Sequence, residues 1–111
     1  MSLIDQASLP VDGNAHEFHG HEHGDVGICI LIVDAPPGAG PRRHRHPYEE
    51  VFIVQEGRAT FFVGDQEIEA GAGQIVVAPA GVAHAFVNSG DGRLRQIDVH
   101  VSPRMITEWL E

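Results

Sequence analysis

Between Val26 and Val101 the hydrophobic residues fall in short runs separated by Gly, Pro, Asp and Asn. The first run, VGICILIVD at 26–34, is rich in β-branched residues and reads as a strand. It closes on Ala35-Pro36-Pro37-Gly38-Ala39-Gly40-Pro41, which can neither continue a strand nor enter a helix. EVFIVQ at 50–55 and RATFFV at 58–63 flank Glu56-Gly57, and Gly64-Asp65 then turns the chain into QEIEA, so two hairpin connections and an antiparallel meander are expected. After the turn AGAG at 70–73 come QIVVA, the rigid corner Pro79-Ala80-Gly81, the run VAHAFVN, the turn Ser89-Gly90-Asp91-Gly92 and a last strand, RLRQIDVHV. Strands recurring at this interval, with Gly-rich turns and no helical pattern between them, predict an all-β sandwich or barrel.

The tail follows another pattern. Ser102 can cap a helix whose first position is Pro103, and Met105, Ile106, Trp109 and Leu110 then form one apolar stripe at helical spacing. One or two helical turns are expected there, packed on the barrel or on a second subunit. The run VGICILIV is apolar on both faces, more than one barrel interior needs, and this predicts a homodimer.

Composition narrows the class. The 111 residues suit one domain, with residues 26–111 as the β-barrel unit and the polar, His-rich residues 1–25 as a lead-in strand or loop of the same domain. Seven Lys and Arg against sixteen Asp and Glu give a formal charge of −9, which repels phosphate backbones and anionic lipid surfaces and argues against nucleic-acid or membrane partners. The exception is local: Arg42, Arg43 and Arg45 crowd around His44 and admit an anionic small molecule. Cys29 stands alone inside an apolar run, as a free buried thiol does, and no run is long enough to span a bilayer. With no signal-peptide pattern at the N-terminus, a cytoplasmic protein is expected.

The chemistry lies in two spaced blocks. His44 and His46 are two apart, so on a strand both imidazoles point one way while Arg45 points the other. That is a metal pincer. Glu50 shares their parity, although Pro47 interrupts the ladder between them and leaves Glu49 as a rival carboxylate. His84 follows on a later strand, beyond the Pro79-Ala80-Gly81 corner. Three imidazoles and a carboxylate suit Fe, Mn, Ni, Co, Zn or Cu, with one or two coordination positions left for water or substrate.

The glycines around these residues identify the pattern. Gly38, five residues, His44-Arg45-His46, three residues, Glu50, six residues and Gly57 make one block. Gly73, five residues, Pro79-Ala80-Gly81, two residues, His84, three residues and Asn88 make the other. Both closely resemble the two motifs of the cupin family, and together they span residues 38–88, about half the chain. The resemblance implies a small jelly-roll barrel, the cupin-type double-stranded β-helix, with a divalent transition metal in its mouth. It implies His44, His46, Glu50 and His84 as the ligands, and its register prefers Glu50 to Glu49.

Other polar residues stay open. His16, His19, His21 and His23 belong to neither motif and read as a polar surface strand or loop, with a secondary metal site as the alternative. Gln96, Asp98 and His100 form one face of the last strand and meet either solvent or the cavity. Tyr48 and Glu49 are the nearest candidates for a general acid or base, with packing at the barrel rim the plainer role for Tyr48. Two classes of function remain: a metal-dependent enzyme acting on a small organic molecule, with a dioxygenase first and an isomerase or decarboxylase behind it, and a non-catalytic module that binds or senses a metabolite.

Overall fold

The computed structural model describes residues 1–111. Its elements are the strands β1 (Val11–Asp12), β2 (Ala15–His19), β3 (Cys29–Ala35), β4 (His44–Arg45), β5 (Glu50–Glu56), β6 (Arg58–Val63), β7 (Gln66–Gly71), β8 (Ile75–Ala78), β9 (His84–Asn88), β10 (Leu94–His100) and β11 (Glu108–Trp109), with two short 3₁₀ turns at Gln6–Ser8 and Gly20–Glu22. All strand pairings are antiparallel. One sheet runs β1-β2-β3-β10-β5-β8 and the other β11-β4-β9-β6-β7. No helix is long and apolar enough to cross a membrane.

The two sheets face each other and share one core. Val33, Phe52 and Val54 from the six-stranded sheet pack with Ala59, Phe61, Val63 and Phe86 from the five-stranded one. Phe61 is fully buried, its ring 5.1 Å from Phe52 and 5.6 Å from Phe86. Alternation along each strand explains the division: in β10 Leu94, Gln96, Asp98 and His100 are buried while Arg95, Ile97 and Val99 turn outward.

Two expectations are corrected. The sheets do not close into a barrel, because the chain changes sheet at its corners instead of pairing across them. Glu56-Gly57 is such a corner: β5 and β6 lie in different sheets, so no hairpin forms there, whereas β6 and β7 do form one. Gly57 has a φ of 85° and comes so close to Arg93 that a Cβ would stand 2.3 Å from its carbonyl oxygen.

There is also no C-terminal helix. Residues 101–107 run as bends and irregular chain, and β11 then pairs with β4, Trp109 opposite His44. The Ser102 hydroxyl makes a local turn with Arg104 instead of capping a helix. Further on, the Ile106 carbonyl, the Ile106 N–H and the Leu110 N–H bond to His46, Tyr48 and Arg43. Those long-range partners outbid the local helix signal.

The outward face of the six-stranded sheet is aliphatic. Its register sets Ile32, Ile97, Ile53 and Ile75 in one row and Ile30, Val99, Val51 and Val77 in the next. Ile75 and Val77 are largely exposed.

Candidate metal centre

The site lies between the sheets at the end where β4 and β9 face β5 and β10. His44 on β4 pairs directly with His84 on β9, which sets their imidazoles side by side with ring centroids 4.5 Å apart. His46 follows beyond β4, and Glu50 opens β5. All four side chains are buried, and one ligand atom from each lies within 4.8 Å of the others. Glu49, the rival carboxylate, is exposed.

The hydrogen-bond roles define what the cluster can accept. The Nδ1 atoms of His44, His46 and His84 lie 2.6, 2.8 and 3.1 Å from the carbonyl oxygens of Arg42, Ile106 and Val82. A carbonyl only accepts, so each Nδ1 carries the proton and each neutral ring turns an Nε2 lone pair inward. His46 Nε2 and His84 Nε2 stand 3.1 and 3.2 Å from Glu50 Oε1, itself an acceptor. The His46 contact is off the line of a hydrogen bond, leaving Nε2 a buried polar atom without a partner. Lone pairs and a carboxylate converge with nothing between them to donate. A proton on an Nε2 relieves this in part; a divalent cation suits all four groups together.

The electrostatics agree. Burial by itself would raise the Glu50 carboxyl, yet the imidazoles of His100, His46 and His84 packed around it hold it far below the usual carboxylate range. The cluster thus favours the ionised carboxylate. Burial depresses the His44 imidazole, with the neighbouring His84 and His46 adding to the effect against the Arg42 carbonyl, so His44 stays neutral as a ligand must.

Behind the cluster stands a second layer. Tyr48 is buried; its hydroxyl accepts from the Ile106 N–H at 3.2 Å and donates to His100 Nδ1 at 2.7 Å. His100 Nε2 lies 3.1 Å from Glu50 Oε2, so Tyr48 fixes His100 and His100 holds the carboxylate oxygen that faces away from His46 and His84. Burial pushes the Tyr48 hydroxyl up to about 12, which keeps it a donor. The role of His100 was not legible in the sequence. Its only signal was parity with Gln96 and Asp98, and all three prove to face inward.

A cavity of about 280 Å³ opens beside the cluster, lined by His44, His46, Glu50, Asp98 and His100 and by apolar walls that include Leu31, Val33, Phe52 and Phe86. Met105, Thr107 and Trp109 complete it from the tail. None of the three arginines around His44 reaches it: Arg45 is exposed with Nε 2.6 Å from Glu108 Oε2, and Arg42 sits over Trp109 with its guanidinium 5.0 Å from the ring centroid.

The N-terminal histidines lie elsewhere. His16 and His19 are on β2, His21 is in the 3₁₀ turn, and His23 stacks on Phe18 at 4.5 Å. His19, His21 and Glu22 form a second, partly exposed group in which His19 Nε2 is taken up by Glu17 at 2.9 Å. Asn88 ties loops together, its amide donating to the Ala35 and Gly92 carbonyls.

A family model described as the cupin domain matches residues 31–100. The chain belongs to the cupin family. An uncharacterized protein of Streptomyces coelicolor is 36% identical to this cupin over 75 residues, 68% of each chain. A Streptomyces cyaneus protein named polyketide synthase CurC is 33% identical over 85 residues, 76% of this cupin and 52% of its own length, so the cupin spans about half of that relative. Among solved structures, Bacillus subtilis oxalate decarboxylase, studied for its Mn(II) centres, superposes with a TM-score of 0.83 at 19% identity, over 94% of this cupin and 30% of the larger chain. At that identity the likeness is one of fold. The buried group of His44, His46, Glu50 and His84 fits a divalent metal.

Proposed function

We propose that this cupin is an enzyme that holds a divalent transition metal through His44, His46, Glu50 and His84 and acts on a small organic molecule in the adjoining cavity, with oxidation by O2 as the first reaction class. The observation that carries the reading is the convergence of three inward lone pairs and one carboxylate, without a donor among them, on a cavity of about 280 Å³ with one apolar wall. A metal there would supply Lewis acidity and, if Fe or Mn, electron transfer to oxygen. The protein's own part is positional. The carbonyls of Arg42, Ile106 and Val82 aim the imidazoles, Tyr48 and His100 hold Glu50 Oε2, and the walls formed by Leu31, Val33, Phe52 and Phe86 keep bulk water out.

A second reading, a reaction without O2 on an enolisable molecule, is favoured by the name of the Streptomyces cyaneus relative, since polyketides are built from repeated ketone units. In both readings residues 1–25 serve as the lead-in of the one domain formed by 26–111, two copies pair through the aliphatic outer face of the six-stranded sheet, and a reducing, cytoplasmic setting suits the free buried thiol of Cys29.

Metal analysis of protein purified without added metal tests the proposal. The wild type should carry about one ion per chain, and the double variant His44→Ala, His46→Ala none; full retention would move the site to the N-terminal histidines. Fe-, Mn- and Ni-loaded protein is then incubated with catechols, enediols and diketones while O2 and product mass are followed. Product without O2 consumption selects the second reading. No turnover with any metal, together with a ligand carried through purification, would leave a binding module.

A further inference from the structure

The cavity's charges restrict its ligand. It is lined by four carboxyl side chains, Glu50 and Asp98 beside the metal cluster and Asp12 and Glu17 from the β1–β2 hairpin, and by no Lys or Arg. The arginines nearby are engaged outside it: Arg45 with Glu108, Arg42 with Trp109 and the Glu111 carbonyl. A carboxylate entering would therefore meet no cation other than the metal. Asp12 is exposed and Glu17, whose Oε1 stands 2.9 Å from His19 Nε2, is partly buried; both line the cavity.

Charge and size give the same answer. A divalent ion beside the ionised Glu50 leaves one net positive charge, which one anionic oxygen neutralises and a second exceeds. The volume of about 280 Å³ exceeds that of an engineered cavity of about 150 Å³ which holds benzene, so a substituted single ring has room. The walls that ring would touch are Leu31, Val33, Phe52 and Phe86.

We infer, resting on the metal reading of this site, that its ligand is a neutral, largely apolar molecule carrying two neighbouring oxygens, of the catechol, enol or 1,3-diketone class, and that Asp12 and Glu17 turn dicarboxylates away. The selection is made by the β1–β2 hairpin, outside both motif blocks.

Trp109 is the single tryptophan of the chain and forms part of the cavity wall, its ring 5.0 Å from His44, so its fluorescence reports occupancy without turnover. Zinc-loaded protein, which is redox-silent, is titrated with 4-methylcatechol, acetylacetone, malonate and oxalate, with free tryptophan as the inner-filter control. The neutral chelators should bind at least about tenfold more tightly than the dicarboxylates, and the double variant Asp12→Asn, Glu17→Gln should narrow that ratio about tenfold while leaving the neutral affinities within about twofold. Equal or tighter binding of oxalate or malonate by the wild type overturns the inference; so does a ratio unmoved in the variant, or no binding of either class. Failure of the protein to take up zinc brings down the metal reading and this inference together. Selective binding of neutral chelators without turnover of any substrate keeps the inference and ends the enzyme reading.

Discussion

Replacing Asp98 with asparagine should remove a loss of stability that the protein suffers as pH rises. Asp98 is 2% exposed, and its carboxyl accepts a hydrogen bond from Gln96 Nε2 at 2.7 Å. Burial, with the negative charge of Glu50 adding to it, raises its carboxyl well above the ordinary value, against a smaller opposing effect from Gln96. The native protein therefore keeps a proton that the unfolded chain releases above about pH 4. Stability from this group is complete below that pH and is lost as pH climbs toward the native value. While pH lies in that window the slope is about 1.4 kcal/mol per unit. Asparagine preserves the acceptor for Gln96 and carries no titrating proton. Urea unfolding of metal-free wild type and variant, followed by far-UV circular dichroism from about pH 4.5 upward, should show curves that diverge in favour of the variant as pH rises. Titrating groups distant from Asp98 are common to both proteins and cancel in the difference. Parallel curves would mean that Asp98 is ionised in the fold, and the argument from burial would fail.

Three further outcomes are expected. Phe61→Ala, which empties a fully buried position between Phe52 and Phe86, should cost about 3–5 kcal/mol in denaturant unfolding, and a loss below about 1 kcal/mol would contradict the packing described. Ile97→Arg, in the middle of the outer aliphatic rows, should turn a dimer into a monomer in light scattering; a wild type already monomeric at micromolar concentration refutes the pairing. Metal content after dialysis should fall as pH drops through the histidine range, because the Nε2 lone pairs of His44, His46 and His84 must be free of protons to coordinate, and occupancy that is flat with pH would speak against imidazole ligands.

The strands and the buried group of His44, His46, Glu50 and His84 were legible because alternation and motif spacing are both local signals. A run such as EVFIVQ declares its inward face by alternation, and the motif spacing had already preferred Glu50 over Glu49, which the structure places in the interior and at the surface respectively. What failed depended on partners far along the chain. Met105, Ile106, Trp109 and Leu110 scan as a helical stripe, yet Met105, Thr107 and Trp109 are the residues that line the cavity, a period of two, since backbone groups of Ile106 and Leu110 are bound by residues some sixty positions earlier. Glu56-Gly57 read as a hairpin for a similar reason: a positive-φ glycine serves a hairpin and a sheet-to-sheet corner alike, and only the crowding against Arg93 separates them. The arginines around His44 suggested an anion site, but the pairing of Arg45 with Glu108 and the stacking of Arg42 on Trp109 occur across the surface, where local sequence gives no sign of them.

The tail that closes the cavity belongs to the ladder only through the two residues of β11, while its middle stretch supplies both a wall and the carbonyl that aims His46. The cavity wall can thus be altered by changes at Met105 or Thr107, outside β11, that leave the paired sheets intact. Such a division separates evolvability from foldability: the sandwich can stay fixed while one extended segment is rewritten for new chemistry.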